Sequence, residues 1–154
     1  MRVADVMTRD VLTVVPDTSV QDVARVLWSR GISGVPVVNG AGALVGIVSE
    51  LDLLVRNANL HIPQYLRVLD IMIPLGSRHE FDEEMRRALG ATAADVMTTE
   101  LFTVGPQTDL ADAATLMLEK DVNRLPVVEQ GRVVGIISRA DFVRLLAQDI
   151  PTEA

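Results

Sequence analysis

The apolar positions of this chain change period in a set order, and the order occurs twice. Val20, Val23, Ala24 and Leu27 stand at i, i+3, i+4 and i+7, which predicts a helix with one buried face. Leu110, Ala113, Ala114 and Met117 predict the same face again. Ahead of each helix, Thr13-Val14 and Thr103-Val104 read as short strands ended by Pro16 and Pro106. After each helix, Val35–Val38 and Leu125–Val128 are short, β-branched, turn-bounded runs, hence strands. Asn39-Gly40-Ala41-Gly42 and Glu129-Gln130-Gly131 then predict hairpin turns into return strands Leu44–Val48 and Val133–Ile137. A second helix is expected to start at Ser49 and Ser138. Thr18 with Gln21 fits a capping box for the first helix, Thr as N-cap and Gln three residues on. The order per half is β-α-β-β-α, an α/β (α+β) class.

The two halves are copies. Ala4-Asp5-Val6-Met7-Thr8 returns as Ala94-Asp95-Val96-Met97-Thr98, ninety residues later. Pro36-Val37-Val38 returns as Pro126-Val127-Val128, and Val45-Gly46-Ile47, Ser49 and Asp52 return as Val134-Gly135-Ile136, Ser138 and Asp141. Each copy, roughly 50 residues, is too short to bury a comfortable core alone. Two copies are also too few for a solenoid. The expectation is a single domain of two halves packed about a pseudo-two-fold axis: 1–56, a linker 57–93, 94–148, and a tail 149–154. The linker has no counterpart in the second copy. Leu60, Ile62, Leu66, Leu69, Ile71 and Ile73 make it too apolar for a loose tether, and His79–Leu89 reads as helical.

Composition narrows the function classes. With 14 basic and 21 acidic residues the net charge is −7, which argues against a general nucleic-acid binder. Trp28, Tyr65, Phe81, Phe102 and Phe142 are the only aromatics, too few for a base-stacking platform. Without cysteine there is no disulfide, thiolate metal site or Cys nucleophile. No apolar run reaches a membrane span, and the N-terminus lacks a signal-like stretch, so a soluble cytoplasmic protein is expected. His61 and His79 are the only histidines and lack metal-ligand spacing, so no metal is expected. Neither G-x-S-x-G, a Walker A loop nor G-x-G-x-x-G occurs, and no nucleophile–base pair is visible. The expected protein is not an enzyme.

The candidate chemistry sits in the repeat. Ser49-Glu50-Leu51-Asp52 and Ser138-Arg139-Ala140-Asp141 each put Ser at a strand end and Asp inside the first helical turn. One reading is purely local: Ser-x-x-Asp caps the helix, and Asp complements its dipole. The other is a ligand site, because a helix N-terminus suits phosphate and a carboxylate can accept both hydroxyls of a ribose. The two are compatible. Ile32-Ser33-Gly34-Val35 and Val122-Asn123-Arg124-Leu125, each just before a proline, could wall a flat base and read its edge with backbone groups.

The pattern D-V-M-T…T-V-x-P-x-T…(V/L)-P-V-V…G…V-G-I-(V/I)-S-x-x-D, present twice, resembles a tandem pair of cystathionine-β-synthase-type (CBS) domains. The resemblance covers 1–55 and 94–146 and leaves out the linker. It implies a disc-like module with two clefts between the motifs that bind AMP, ADP, ATP or S-adenosylmethionine, sometimes NAD, with no cofactor required. Carried over by motif, Asp52 and Asp141 would hold ribose hydroxyls, and Ser49 and Ser138 would contact ribose or phosphate. Thr13 and Thr103, with Ile32, Ser33, Gly34, Pro36 and Val122, Asn123, Arg124, Pro126, would line the base pockets. The copies differ in charge. Arg139 and Arg124 of the second are Glu50 and Gly34 in the first, so the Ser138/Asp141 cleft is expected to take the phosphorylated ligand. A homodimer, an effector protein, and no nucleic acid or membrane partner are expected. The alternative is an interaction adaptor with degenerate, empty clefts.

Overall fold

The computed structural model describes residues 1–58, 64–68, 71–75 and 91–148. In chain order the elements are α1 (Val3–Val6), α2 (Val20–Arg30), β1 (Gly34–Val38), β2 (Leu44–Ser49) and α3 (Glu50–Ala58). Then come β3 (Gln64–Val68), β4 (Ile71–Leu75), α4 (Ala93–Val96), α5 (Leu110–Glu119), β5 (Arg124–Glu129), β6 (Arg132–Ser138) and α6 (Arg139–Gln148). The strands form two-stranded sheets, β1 with β2, β3 with β4 and β5 with β6. The predicted α/β motif is therefore present in both copies. No helix of the described residues is long and apolar enough to cross a membrane.

Local chemistry explains most boundaries, with some shifts from the sequence expectation. The N-cap of α2 is Ser19, whose side chain accepts from the Asp22 N–H at 3.1 Å, so the cap falls one residue beyond the predicted Thr18. Thr18 instead accepts from the Val15 N–H at 3.1 Å and shapes the turn before the helix. Helix α2 ends on Gly31 at φ 61, a left-handed position, and the second copy places Asp121 there at φ 49. The β5–β6 turn shortens to Gln130-Gly131, both at positive φ, as a two-residue hairpin turn requires. The predicted strands at Thr13-Val14 and Thr103-Val104 contract to single parallel bridges, Val14 with Val37 and Val104 with Val127. On α2, Val23 and Leu27 are buried while Ala24 is exposed; on α5, Ala113 and Met117 are buried.

The linker holds a hairpin that its apolar content alone did not announce. Strands β3 and β4 pair antiparallel, with Leu66 opposite Ile73 and Val68 opposite Ile71. The helix expected over His79–Leu89 lies outside the described residues, as do His61 and the tail.

The chain divides into two compact units, and the division crosses the repeat. The first unit takes Met1–Thr13, Val38–Leu44 and the chain from Glu100 onward; the second takes Val14–Val37 and Val45–Thr99. Each motif thus sends its N-terminal Asp-Val-Met-Thr arm into the unit built on the other motif. In the first unit, Val3, Val6 and Met7 join Val104, Ala113, Met117, Leu125, Val127 and Ile137 in one core. In the second, Ala93 joins Val14, Val23, Leu27, Val35, Val37 and Val48. Backbone bonds fix both arms: Thr8 exchanges N–H and carbonyl with Ile136 (2.9 and 3.0 Å), and Thr98 does so with Ile47 (2.8 and 3.1 Å). Glycine makes room for each arm. A Cβ on Gly135 would collide with the Met7 thioether, and one on Gly46 with that of Met97.

Candidate functional site

In the second unit, β2 delivers Ser49 to the start of α3, and the first helical turn brings Asp52 back to it. Asp52 Oδ2 accepts from the Ser49 N–H at 2.7 Å and from its hydroxyl at 2.8 Å, and the Asp52 N–H donates to Ser49 Oγ at 3.3 Å. This is a capping box with Asp in the acidic position, a device contributing about 1 kcal/mol. The other oxygen, Oδ1, accepts from the hydroxyl of Thr98, at the end of the arm, at 3.1 Å. Asp52 is half-buried, and among the described residues the donors to its side chain are neutral.

The first unit repeats the box and changes its surroundings. Asp141 Oδ2 accepts from the Ser138 N–H at 2.8 Å and from its hydroxyl at 2.9 Å. Its Oδ1 receives Nη2 of Arg144 at 2.8 Å. Asp141 is 6% exposed, the one buried charged residue among those described. A carboxylate so far out of water needs a balancing charge or full hydrogen bonding, and here it has both. The same Arg144 Nη2 donates to the Val6 carbonyl at 3.2 Å, tying the arm to this carboxylate. Thr8, the counterpart of Thr98, is exposed.

The sequence-selected residues fall as follows. Ser49, Asp52, Ile32, Ser33, Gly34 and Pro36 belong to the second unit. Ser138, Arg139, Asp141, Thr103, Val122, Asn123, Arg124 and Pro126 belong to the first, and so does Thr13. Gly34, Pro36 and Pro126 are buried; Thr13, Thr103, Ser33, Asn123 and Arg139 are exposed. Several backbone groups expected to read a base are engaged within the protein. The Ser33 and Asn123 carbonyls accept from Glu50 and Arg139 N–H at 3.0 Å, and the Pro36 and Pro126 carbonyls accept from Val14 and Val104 at 3.0 and 3.1 Å. Each carbonyl keeps a second lone pair. Arg139 pairs with Asp121 at 3.3 Å on the surface, where such a bridge contributes little. Arg124 pairs with Ser138 in the sheet register and is half-buried.

Two functional candidates escaped the sequence reading. Arg144 lies three residues after Asp141, a helix neighbour that spacing alone could have flagged. Thr98 belongs to the repeated Asp-Val-Met-Thr, but its partner Asp52 is distant in sequence. Among the described residues no group of three or more His, Asp or Glu is placed to hold a metal ion.

Comparison with known proteins matches the CBS domain family at residues 3–58 and again at 93–148. The chain is similar to the uncharacterized protein MJ1426 of Methanocaldococcus jannaschii, 34% identical over 154 residues that cover 95% of this chain and 91% of that protein. It is also 34% identical over 151 residues to the chloroplastic CBS domain-containing protein CBSX2 of Arabidopsis thaliana, covering 95% of this chain and 63% of CBSX2. The crystal structure of CBSX2 in complex with AMP superposes with a TM-score of 0.71 at 32% identity, covering 96% of each chain.

Proposed function

The chain belongs to the CBS domain family as a tandem pair, and from that premise we propose that it is a non-catalytic regulatory module that binds an adenosine-containing ligand. What carries the reading is the duplicated carboxylate, Asp52 and Asp141, each fixed by a Ser at the start of a helix. Each carboxylate accepts three hydrogen bonds within the protein, which leaves one of its roughly four acceptor sites to take a ribose hydroxyl. The AMP bound by the similar CBSX2 supports the choice of ligand class. Ser49, Ser138 and the segments around Ile32–Pro36 and Val122–Pro126 complete the proposed contacts. Binding acts on an effector protein by favouring one of two conformations of the module.

The test is a thermal-shift panel of AMP, ADP, ATP, S-adenosylmethionine and NAD. A ligand at 100 times its Kd adds about 2.7 kcal/mol of stability. For a domain of this size that is a rise of roughly 5–10 °C. No shift with any of the five removes the reading.

A second reading, an association or adaptor module, is favoured by one observation. Trp28 on α2 is 90% exposed and Leu118, at the equivalent position on α5, is 76% exposed. Leu51, Leu54, Val143 and Leu146 on the second helices are exposed as well. Large apolar side chains left in water at matching repeat positions suit a homodimer contact. Sedimentation of wild type against a Trp28→Glu/Leu118→Glu double variant tests it: a dimer that becomes a monomer supports it, and a wild-type monomer excludes it.

A further inference from the structure

Arg144 gives the two carboxylates different net charge. Its Nη2 bridges Asp141 Oδ1 at 2.8 Å and the Val6 carbonyl at 3.2 Å. A guanidinium has five N–H donors, so three, on Nη1 and Nε, carry no hydrogen bond among the described residues. The side chain is 54% exposed while that of its carboxylate partner is 8% exposed. At the sequence position corresponding to Arg144 the first motif has Val55. There, among the described residues, the second oxygen of Asp52 receives the neutral Thr98 hydroxyl. Both carboxylates take the same two donors from a serine, and among the described residues a cation faces the one at Asp141 only.

We propose that Arg144 makes the Asp141 site selective for anionic, phosphate-bearing adenosine ligands, whereas the Asp52 site, with Val55 in place of that arginine, favours neutral or cationic ones. The inference rests on the nucleotide reading above and names the residue that sorts ligands by charge. A ribose diol donates to either carboxylate alike, so a neutral nucleoside barely distinguishes the sites. A nucleotide brings a phosphate of charge about −1.5 to −2 to within several ångströms of that carboxylate. Beside Asp52 the phosphate meets a carboxylate that has Val55 where the other motif has Arg144. Beside Asp141 it meets a neutral pair with spare guanidinium donors. Arg139 is exposed and meets Asp121 at 3.3 Å on the surface. Arg144 joins Arg124 and Arg139, the two cations that the charge difference between the copies singled out.

The experiment is calorimetric titration of the full chain with AMP and with adenosine, carried out on Asp52→Ala so that the Asp141 site is read alone. Removing the charge with Arg144→Gln should weaken AMP on the order of tenfold and adenosine by less than about twofold. Arg144→Lys, which keeps the charge, should retain most of the preference for AMP. That preference should also shrink as salt is raised. Retained adenosine binding shows that each variant is folded. Equal weakening of both ligands would make Arg144 a structural tie and overturn the inference, as would no change in either. Should wild type bind neither AMP nor adenosine, the nucleotide reading falls and this inference with it.

Discussion

Asp52 and Asp141 occupy the same step of the same motif, receive the same two hydrogen bonds from the same serine, and still sit in different electrostatic company. Asp52 is half-buried and linked to the arm of the other motif directly, through Thr98 Oγ1 at 3.1 Å. Asp141 is 6% exposed and linked to its arm through a cation that touches the Val6 carbonyl. The arm–carboxylate link is present in both units, and the chemistry that makes it has been exchanged. The difference teaches that the repeated serine and aspartate fix the local geometry, while Arg144, which has Val55 as its counterpart, is what we propose sets the two sites apart.

The largest effect should separate the carboxylates themselves. Asp141→Ala strips the partner from Arg144 and orphans two donors on Ser138, and should destabilise by about 3 kcal/mol. Asp52→Ala, half-buried and without an ion pair among the described residues, should lose about 1 kcal/mol. Urea denaturation of the two variants measures this, and equal losses would erase the distinction. Next come the glycines under the arms. Gly135→Ala meets both the Met7 thioether and the Thr8 carbonyl, the latter at 3.2 Å, so backbone must move. At Gly46→Ala the three nearest atoms all belong to the flexible Met97 side chain. We expect about 2 kcal/mol for the first and about 1 kcal/mol for the second by thermal unfolding. A larger loss at Gly46 would contradict the tighter seating of the first arm. The smallest effect belongs to the threonines. Thr98→Val should lose about 0.5 kcal/mol with its bond to Asp52, and Thr8→Val should lose nothing measurable. Equal melting temperatures for the two variants would deny the Thr98 link a role.

Much of this architecture could be read from the chain. The helix stripes through Val23 and Leu27 and through Ala113 and Met117, the hairpins, and the Ser-x-x-Asp boxes all arise from local periodicity and capping. They are buried or bonded as expected. The exchange of arms was not legible, because the repeat tells that Met7 matches Met97 but not which glycine each covers. The β3–β4 hairpin was missed because Pro63 and Pro74 punctuate an apolar stretch without a turn signal such as Asn-Gly. Charge at the site was half legible. Arg124 and Arg139 drew notice because the first copy has Gly34 and Glu50 in their places. Arg144 lies outside the motif and reaches Asp141 only once the helix has formed.

The most direct test of the asymmetry follows backbone amide resonances of the isotopically labelled chain as AMP is added in small steps. Signals of Arg139–Phe142 should shift at lower AMP than those of Glu50–Leu53, and with adenosine the gap should close. Shifts that begin at Glu50–Leu53, or that proceed together at every AMP concentration, would contradict the account.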